Sequence, residues 1–128
     1  ALLMIDIDHF KQINDNHGHA MGDTVLKAFA RLVSDVLRPG DLLGRVGGEE
    51  FAIALPGTDI RKAFEICERI REATEEAVDE FSGLAITVSI GVTASENHPT
   101  ENIDALLATA DRALYRAKAA GRNRVQRA

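Results

Sequence analysis

Cysteine is nearly absent from this chain, with one in 128 residues. That excludes a disulfide scaffold and fits a reducing, cytoplasmic compartment. The single thiol, Cys67, falls on the apolar stripe of an expected helix and reads as a small buried hydrophobe. No cysteine or histidine set stands at zinc spacing. No apolar run approaches membrane-spanning length, and no signal peptide opens the chain. Repeats, low-complexity tracts and internal linkers are also missing. Excess positive charge is lacking too: the formal net charge is −5, which argues against broad nucleic-acid binding.

What remains is an ordinary globular composition, 45% apolar and 27% charged, enough for one domain with its own core over residues 1–128. The charge is uneven. From Arg112 onward the chain carries Arg112, Arg116, Lys118, Arg122, Arg124 and Arg127 and no acid. Such a cluster either favours a helix C-terminus or offers a local phosphate contact. The chain opens inside an apparent strand, Ala1-Leu2-Leu3, so it is expected to be a piece of something longer.

Hydrophobic periodicity orders the chain. Residues 1–8 form an apolar run ending in acids, the pattern of a central strand buried on both faces. Phe10 to about His17 suits a short helix, broken by Gly18. Residues 21–37 carry the stripe Val25, Leu26, Phe29, Leu32, Val33, Val36, ended by Pro39-Gly40. Leu42–Val46 and Glu49–Leu55 read as a hairpin stopped by Pro56-Gly57. A second long helix shows Ile60, Ala63, Phe64, Cys67, Ile70, Thr74 and Ala77. Leu84–Thr93 reads as a strand and Ala94–Thr100 as a loop. Ile103, Leu106, Leu107, Ala110, Leu114 and Ala117 mark a last helix capped by Gly121, and Val125 starts a short edge strand. The order β-α-α-β-β-α-β-α predicts an α/β (α+β) fold: a central, mostly antiparallel sheet with a hairpin and helices packed on its faces, largely on one.

Two acidic pairs stand at strand ends. Asp6 and Asp8 end the first apolar run. Glu49 and Glu50 follow Gly47-Gly48, whose glycines permit positive φ and close approach of a ligand to the backbone. Carboxylates at the lip of core strands are costly without a cation, and oxygen-only ligands suit a hard ion such as Mg²⁺. The competing reading is that these acids cap strands and helices, with Asp8 as N-cap of the following helix. His9-Phe10-Lys11 opens that helix, where free N–H groups and Lys11 could receive an anion. By themselves Asn14 reads as a helix-surface residue and Asp23 as an acid near a helix N-terminus. Lys118 and Arg122, four apart at the end of the last helix, suit partners of the helix dipole. Arg38-Pro39-Gly40-Asp41 reads as a helix C-terminal arginine and a turn aspartate.

Several blocks occur together: Asp6-Ile7-Asp8-His9-Phe10-Lys11-Gln12-Ile13-Asn14-Asp15, Gly18-His19, Gly22-Asp23, Arg45-Val46-Gly47-Gly48-Glu49-Glu50-Phe51, Val88-Ser89-Ile90-Gly91-Val92, Ala110 to Lys118, and Gly121-Arg122-Asn123. In this order and over nearly the whole chain, they resemble the GGDEF domain of the diguanylate cyclase family. The resemblance implies a fold like nucleotide cyclases and polymerase palms, and a short helical segment before the first strand that this chain lacks. It implies condensation of two GTP into cyclic di-GMP plus pyrophosphate by a homodimer, with Mg²⁺ (or Mn²⁺), two per site. Asp6, Glu49 and the carbonyl of Ile7 would be the metal ligands. Phe10, Lys11, Asn14, His19, Asp23, Gly48, Lys118 and Arg122 would bind GTP, and Glu50, Glu49 and Lys11 would act in catalysis. Arg38, Asp41 and Arg69 would form a product-inhibition site. A sensor or receiver domain would accompany the domain, in the cytoplasm or tethered to a membrane. Two other readings remain open: a silent cyclic di-GMP-binding effector, and a cyclase acting within one GTP.

Overall fold

The computed structural model describes residues 1–128. Five strands form one sheet: β1 (Leu2–Ile7), β2 (Leu42–Arg45), β3 (Glu50–Ala54), β4 (Val88–Thr93) and β5 (Arg124–Arg127), in the spatial order β2-β3-β1-β4-β5. Four helices accompany it: α1 (Phe10–His17), α2 (His19–Val36), α3 (Ile60–Glu76) and α4 (Ile103–Ala119). All pairings are antiparallel except β4–β5. The edge strand expected at Val125 is therefore the parallel member of the sheet.

Strand alternation decides which side chain meets which helix. Leu3, Ile5 and Ile7 of β1, Ile53 of β3 and Val88, Ile90 and Val92 of β4 join Val25, Phe29 and Val33 of α2 and Ala63, Cys67 and Ile70 of α3 in the main core. The Phe29 and Phe51 rings sit 5.2 Å apart and tilted within it. The opposite face of β1 sends Met4 against Ala110 and Leu114 of α4. The helices cover both faces and lie mostly on one, as the pattern predicts: α1, α2 and α3 on one side, α4 on the other. Every residue of β1 and β4 is buried, as expected of central strands.

Gly91 makes α4's approach possible. It pairs with Met4 in the register, and a Cβ built on it would lie 2.1 Å from the Ala110 carbonyl and 2.3 Å from the Leu114 nitrogen. The helix backbone therefore rests on the strand where a side chain would otherwise stand. Asp59 and Asn102 cap α3 and α4 by accepting from the amides of Lys62 and Ala105. Cys67 is fully buried, and burial pushes its thiol pKa up.

Some boundaries depart from expectation. The last long strand begins at Val88 rather than Leu84, because residues 78–83 form turns and Leu84 to Thr87 lie outside the ladder. Helix α2 begins at His19, so His19 occupies its first turn rather than a loop. Ile103 opens α4 but is 63% exposed, beyond the reach of the core that takes the rest of the stripe. No helix is long and apolar enough to cross a membrane.

Candidate active site

The antiparallel register of β1 and β3 sets Asp6 opposite Glu50, and the Ile7 amide donates to the Glu49 carbonyl. The expected acidic pairs therefore meet across neighbouring strands. Asp6 is buried on the α4 side, where the Lys118 ammonium binds its Oδ2. Burial pushes the Asp6 carboxyl above its usual range; Lys118 opposes that, and Glu49 and Glu50 reinforce it. Excess negative charge collected around a buried carboxylate is the electrostatic setting a hard cation relieves. The donors also fit such an ion: carboxylates of Asp6 and Glu49 and a strand-end carbonyl at Ile7. No group of three or more His, Cys, Asp or Glu is already gathered at ligand spacing.

Beside these acids lies a cleft of about 480 Å³, lined by Phe10, Lys11, Asn14, His19, Asp23, Leu26, Arg45, Gly48 and Glu49. Its volume falls in the range of small-ligand pockets, roughly 300–1,000 Å³. Seven of its nine lining residues, Phe10, Lys11, Asn14, His19, Asp23, Gly48 and Glu49, are ones the motif reading had selected. They come from α1, α2 and the hairpin. A cavity of about 490 Å³ between α2 and α3 is as large, but it holds none of the strand-end carboxylates.

The first turn of α1 forms one wall. Its N-cap is His9, in a left-handed conformation with no side-chain cap bond. The first main-chain bond is donated by Ile13 to the His9 carbonyl. The amides of Phe10, Lys11 and Gln12 precede that bond and are the usual orphan donors of a helix start. Asn14 faces Gly22 of α2 so closely that a Cβ there would lie 1.9 Å from Asn14 Oδ1. That oxygen is buried without a hydrogen-bond partner in the protein, which is costly unless something else supplies a donor.

The signature turn differs from expectation. Residues 46 to 49 connect β2 and β3, and the amides of Val46 and Gly47 converge on the Glu50 carbonyl. Neither Gly47 nor Gly48 has positive φ. A Cβ at Gly48 would meet nothing within 4 Å, so the space beside it is open on the cleft side. Arg45, quoted with the signature block but given no role there, also lines the cleft. Its Nε donates to the carbonyls of Gly47 (3.2 Å) and Gly48 (3.0 Å), bracing the turn. Its place immediately before the signature was the available signal.

Asp8 is neither a helix cap nor a member of the cation set. Its oxygens accept from Thr87 Oγ1 and Ser89 Oγ, both at 2.7 Å, and from the Asn123 amide at 3.0 Å. Lys118 lies at the acidic centre through Asp6. Arg122 is exposed, and its side chain makes no hydrogen bond or ion pair.

Arg38 and Asp41 form a separate cluster. Asp41 Oδ2 accepts from the Arg38 amide at 2.9 Å, and the Arg38 guanidinium reaches both carboxylate oxygens and Thr58 Oγ1. The Asp41 side chain is 2% exposed and that of Arg38 58%. Arg69 is exposed, and no hydrogen bond or ion pair joins it to this cluster.

The comparisons agree with this geometry. Residues 1–124 match the family model described as diguanylate cyclase, GGDEF domain. This chain belongs to the GGDEF domain family. It is 44% identical over 127 residues to diguanylate cyclase A of Treponema denticola, covering 98% of this chain and 34% of that protein. It is 49% identical over 126 residues to diguanylate cyclase DgcM of Escherichia coli K12, covering 98% and 30%. The chain thus spans about a third of the length of these curated relatives. A solved active GGEEF domain of a diguanylate cyclase from Vibrio cholerae superposes with TM-score 0.88 at 37% identity, covering 98% of this chain and 80% of that one. The GGDEF domain of DgcB from Caulobacter crescentus, solved with cyclic di-GMP, gives 0.85 at 34% identity, covering 98% and 75%.

Proposed function

We propose that this GGDEF domain condenses two molecules of GTP into cyclic di-GMP and releases two pyrophosphates. The observation that carries the reading is the cleft itself, where α1, α2 and the signature turn bring Lys11, Asn14, Asp23 and Glu49 together beside Asp6. Asn14 and Asp23 would read the guanine edge, the carboxylate accepting from the N–H groups that adenine lacks. The unpartnered Asn14 oxygen supports that role. The free amides at the start of α1 and Lys11 would take the β- and γ-phosphates, with Lys118 and Arg122 completing the clamp. His19 and Phe10 would border the nucleotide, and Gly48 would let it approach the turn.

Asp6, Glu49 and the Ile7 carbonyl would hold Mg²⁺ or Mn²⁺, two ions per site, whose charge would offset that of the triphosphate and favour the ionised 3′-hydroxyl. Glu50 would accept the proton of that hydroxyl. In each of two steps a 3′-oxygen bonds to an α-phosphorus and the bond from that phosphorus to pyrophosphate breaks. One domain holds one GTP, so a homodimer with two facing sites would be the working species. Arg38 and Asp41, with Arg69, would bind the product and restrain the reaction. In the full-length protein a sensor or receiver domain would control the pairing. The GTP supply would place the domain in the cytoplasm.

Incubation with GTP and Mg²⁺, followed by separation of products by mass, tests the reading. Cyclic di-GMP and pyrophosphate are expected. ATP should react at least about a hundredfold more slowly, because adenine leaves the guanine readers unpaired. Cyclic GMP as product would move the assignment to a cyclase acting within one nucleotide. Tight binding of added cyclic di-GMP without turnover would make the domain a receptor.

A further inference from the structure

The buried Asp8 carboxylate, absent from the proposed chemistry, is attached to the segment that carries Arg122. Asp8 is 6% exposed and forms no ion pair, yet both its oxygens are occupied. Two of its donors, Thr87 and Ser89, belong to β4 and the residue just before it. The third is the amide of Asn123, at 3.0 Å. Arg122 and Asn123 are consecutive residues with positive φ, 63° and 45°. Asparagine tolerates this region, but arginine rarely adopts it, so the surroundings must hold the turn there.

Three restraints do so. The Asp8 carboxylate fixes the Asn123 amide. The Asn123 side chain spans to α3, accepting from Arg71 Nη1 at 3.3 Å and donating to Glu75 Oε2 at 2.6 Å. The Arg122 amide closes onto the Ala117 carbonyl of α4 at 3.1 Å. The Arg122 side chain has no protein partner, so this backbone sets where it leaves the chain. Lys118, one helical turn earlier, is directed to Asp6, on the same face of the strand end as Asp8.

We propose that Asp8 and Asn123 are positioning residues for the phosphate clamp: they hold the Gly121-Arg122-Asn123 turn so that Arg122 stands with Lys118 against the nucleotide phosphates. This rests on the reading of Lys118 and Arg122 as phosphate contacts. Neither positioning residue touches substrate. Asp8 acts through a main-chain amide, and Asn123 through its own backbone conformation.

The test compares affinity for a non-hydrolysable GTP analogue with affinity for guanosine, measured by calorimetry with Mg²⁺. Arg122→Ala should weaken the analogue about tenfold or more and leave guanosine unchanged. Asp8→Asn should do the same in a protein that melts cooperatively. In an Arg122→Ala background it should cost nothing further, since both changes remove one contact. Asn123→Gly keeps the left-handed backbone and the amide to Asp8 but loses α3, so it should weaken the analogue by a smaller factor. Restoration by Asp8→Asn,Asn123→Gly of parental analogue affinity would overturn the proposal. So would equal losses for analogue and guanosine in a single variant, or a full further loss in the Arg122→Ala background. If Asp8→Asn fails to fold, parental analogue affinity in Asn123→Gly overturns it. An unchanged Arg122→Ala would overturn the clamp reading itself, and the proposal with it.

Discussion

Asp6 and Asp8 lie one pleat apart on the same side of the chain, in different chemical surroundings. Asp8 has three donors and no cation; Asp6 has one ammonium and two acidic neighbours. A carboxylate saturated by neutral donors is structural, and one raised by burial and acidic neighbours, with a single ammonium beside it, favours further positive charge. Asp6→Asn and Glu49→Gln should therefore each reduce cyclic di-GMP formation by several powers of ten, as expected when a metal ligand is lost. The uncharged asparagine relieves a buried charge, so Asp6→Asn should melt at or above the parental temperature. Activity within about tenfold of the parent, about 1.4 kcal/mol of barrier, would remove Asp6 from the metal set. Asp6 was legible in the sequence because an apolar strand breaks to acid there. The duty of Asp8 was not, since its donors lie 79, 81 and 115 residues away along the chain. The positive φ expected of Gly47 and Gly48 is absent, while the space beside Gly48 is open.

At the level of elements, the helices and the hairpin were legible because each buries one periodic face. Misjudgements fell where burial ends. The apolar run from Leu84 looks like strand, but only from Val88 does it meet a partner ladder, with β1 on one side and β5 on the other. That α4 is the one helix on the other face was hidden, because periodicity records that a face is buried, not which side of the sheet covers it. Gly91 holds the information: a glycine in a central strand marks a place where another backbone comes close. Gly91→Ala should push α4 off β1 and β4, because the obstructing atoms at 2.1 and 2.3 Å are main chain and cannot rotate away. A loss of roughly 1–3 kcal/mol or more is expected from such overpacking, read as a lower midpoint in urea. Since α4 carries Lys118, weaker nucleotide binding should accompany it. An unchanged midpoint would mean the helix does not rest on that glycine.

Across the whole molecule, the acidic centre and the Arg38–Asp41 pair occupy opposite ends of β3. Glu50 opens the strand at the cleft, while Arg38 reaches Pro56 and Thr58 beyond its far end. Five residues at about 3.4 Å each place the two sites roughly 17 Å apart. A ligand on the pair would not overlap a nucleotide in the cleft, so product bound there should slow the reaction without competing with GTP. Asp41 is buried and fully engaged, which holds the more exposed guanidinium in place. Arg38→Ala should remove a charge-assisted contact worth about 1.5–3 kcal/mol of product affinity. Early turnover should stay near the parental rate while the later slowing disappears. Arg69→Ala, whose side chain stands free of the pair, separates a two-residue site from a three-residue one by whether product affinity also falls. Titration of cyclic di-GMP into the parent and both variants, beside initial rates at several GTP concentrations, measures all of this. Equal product affinity in the parent and Arg38→Ala would reduce the cluster to a helix end and its turn, and inhibition relieved by raising GTP would place the product in the cleft instead.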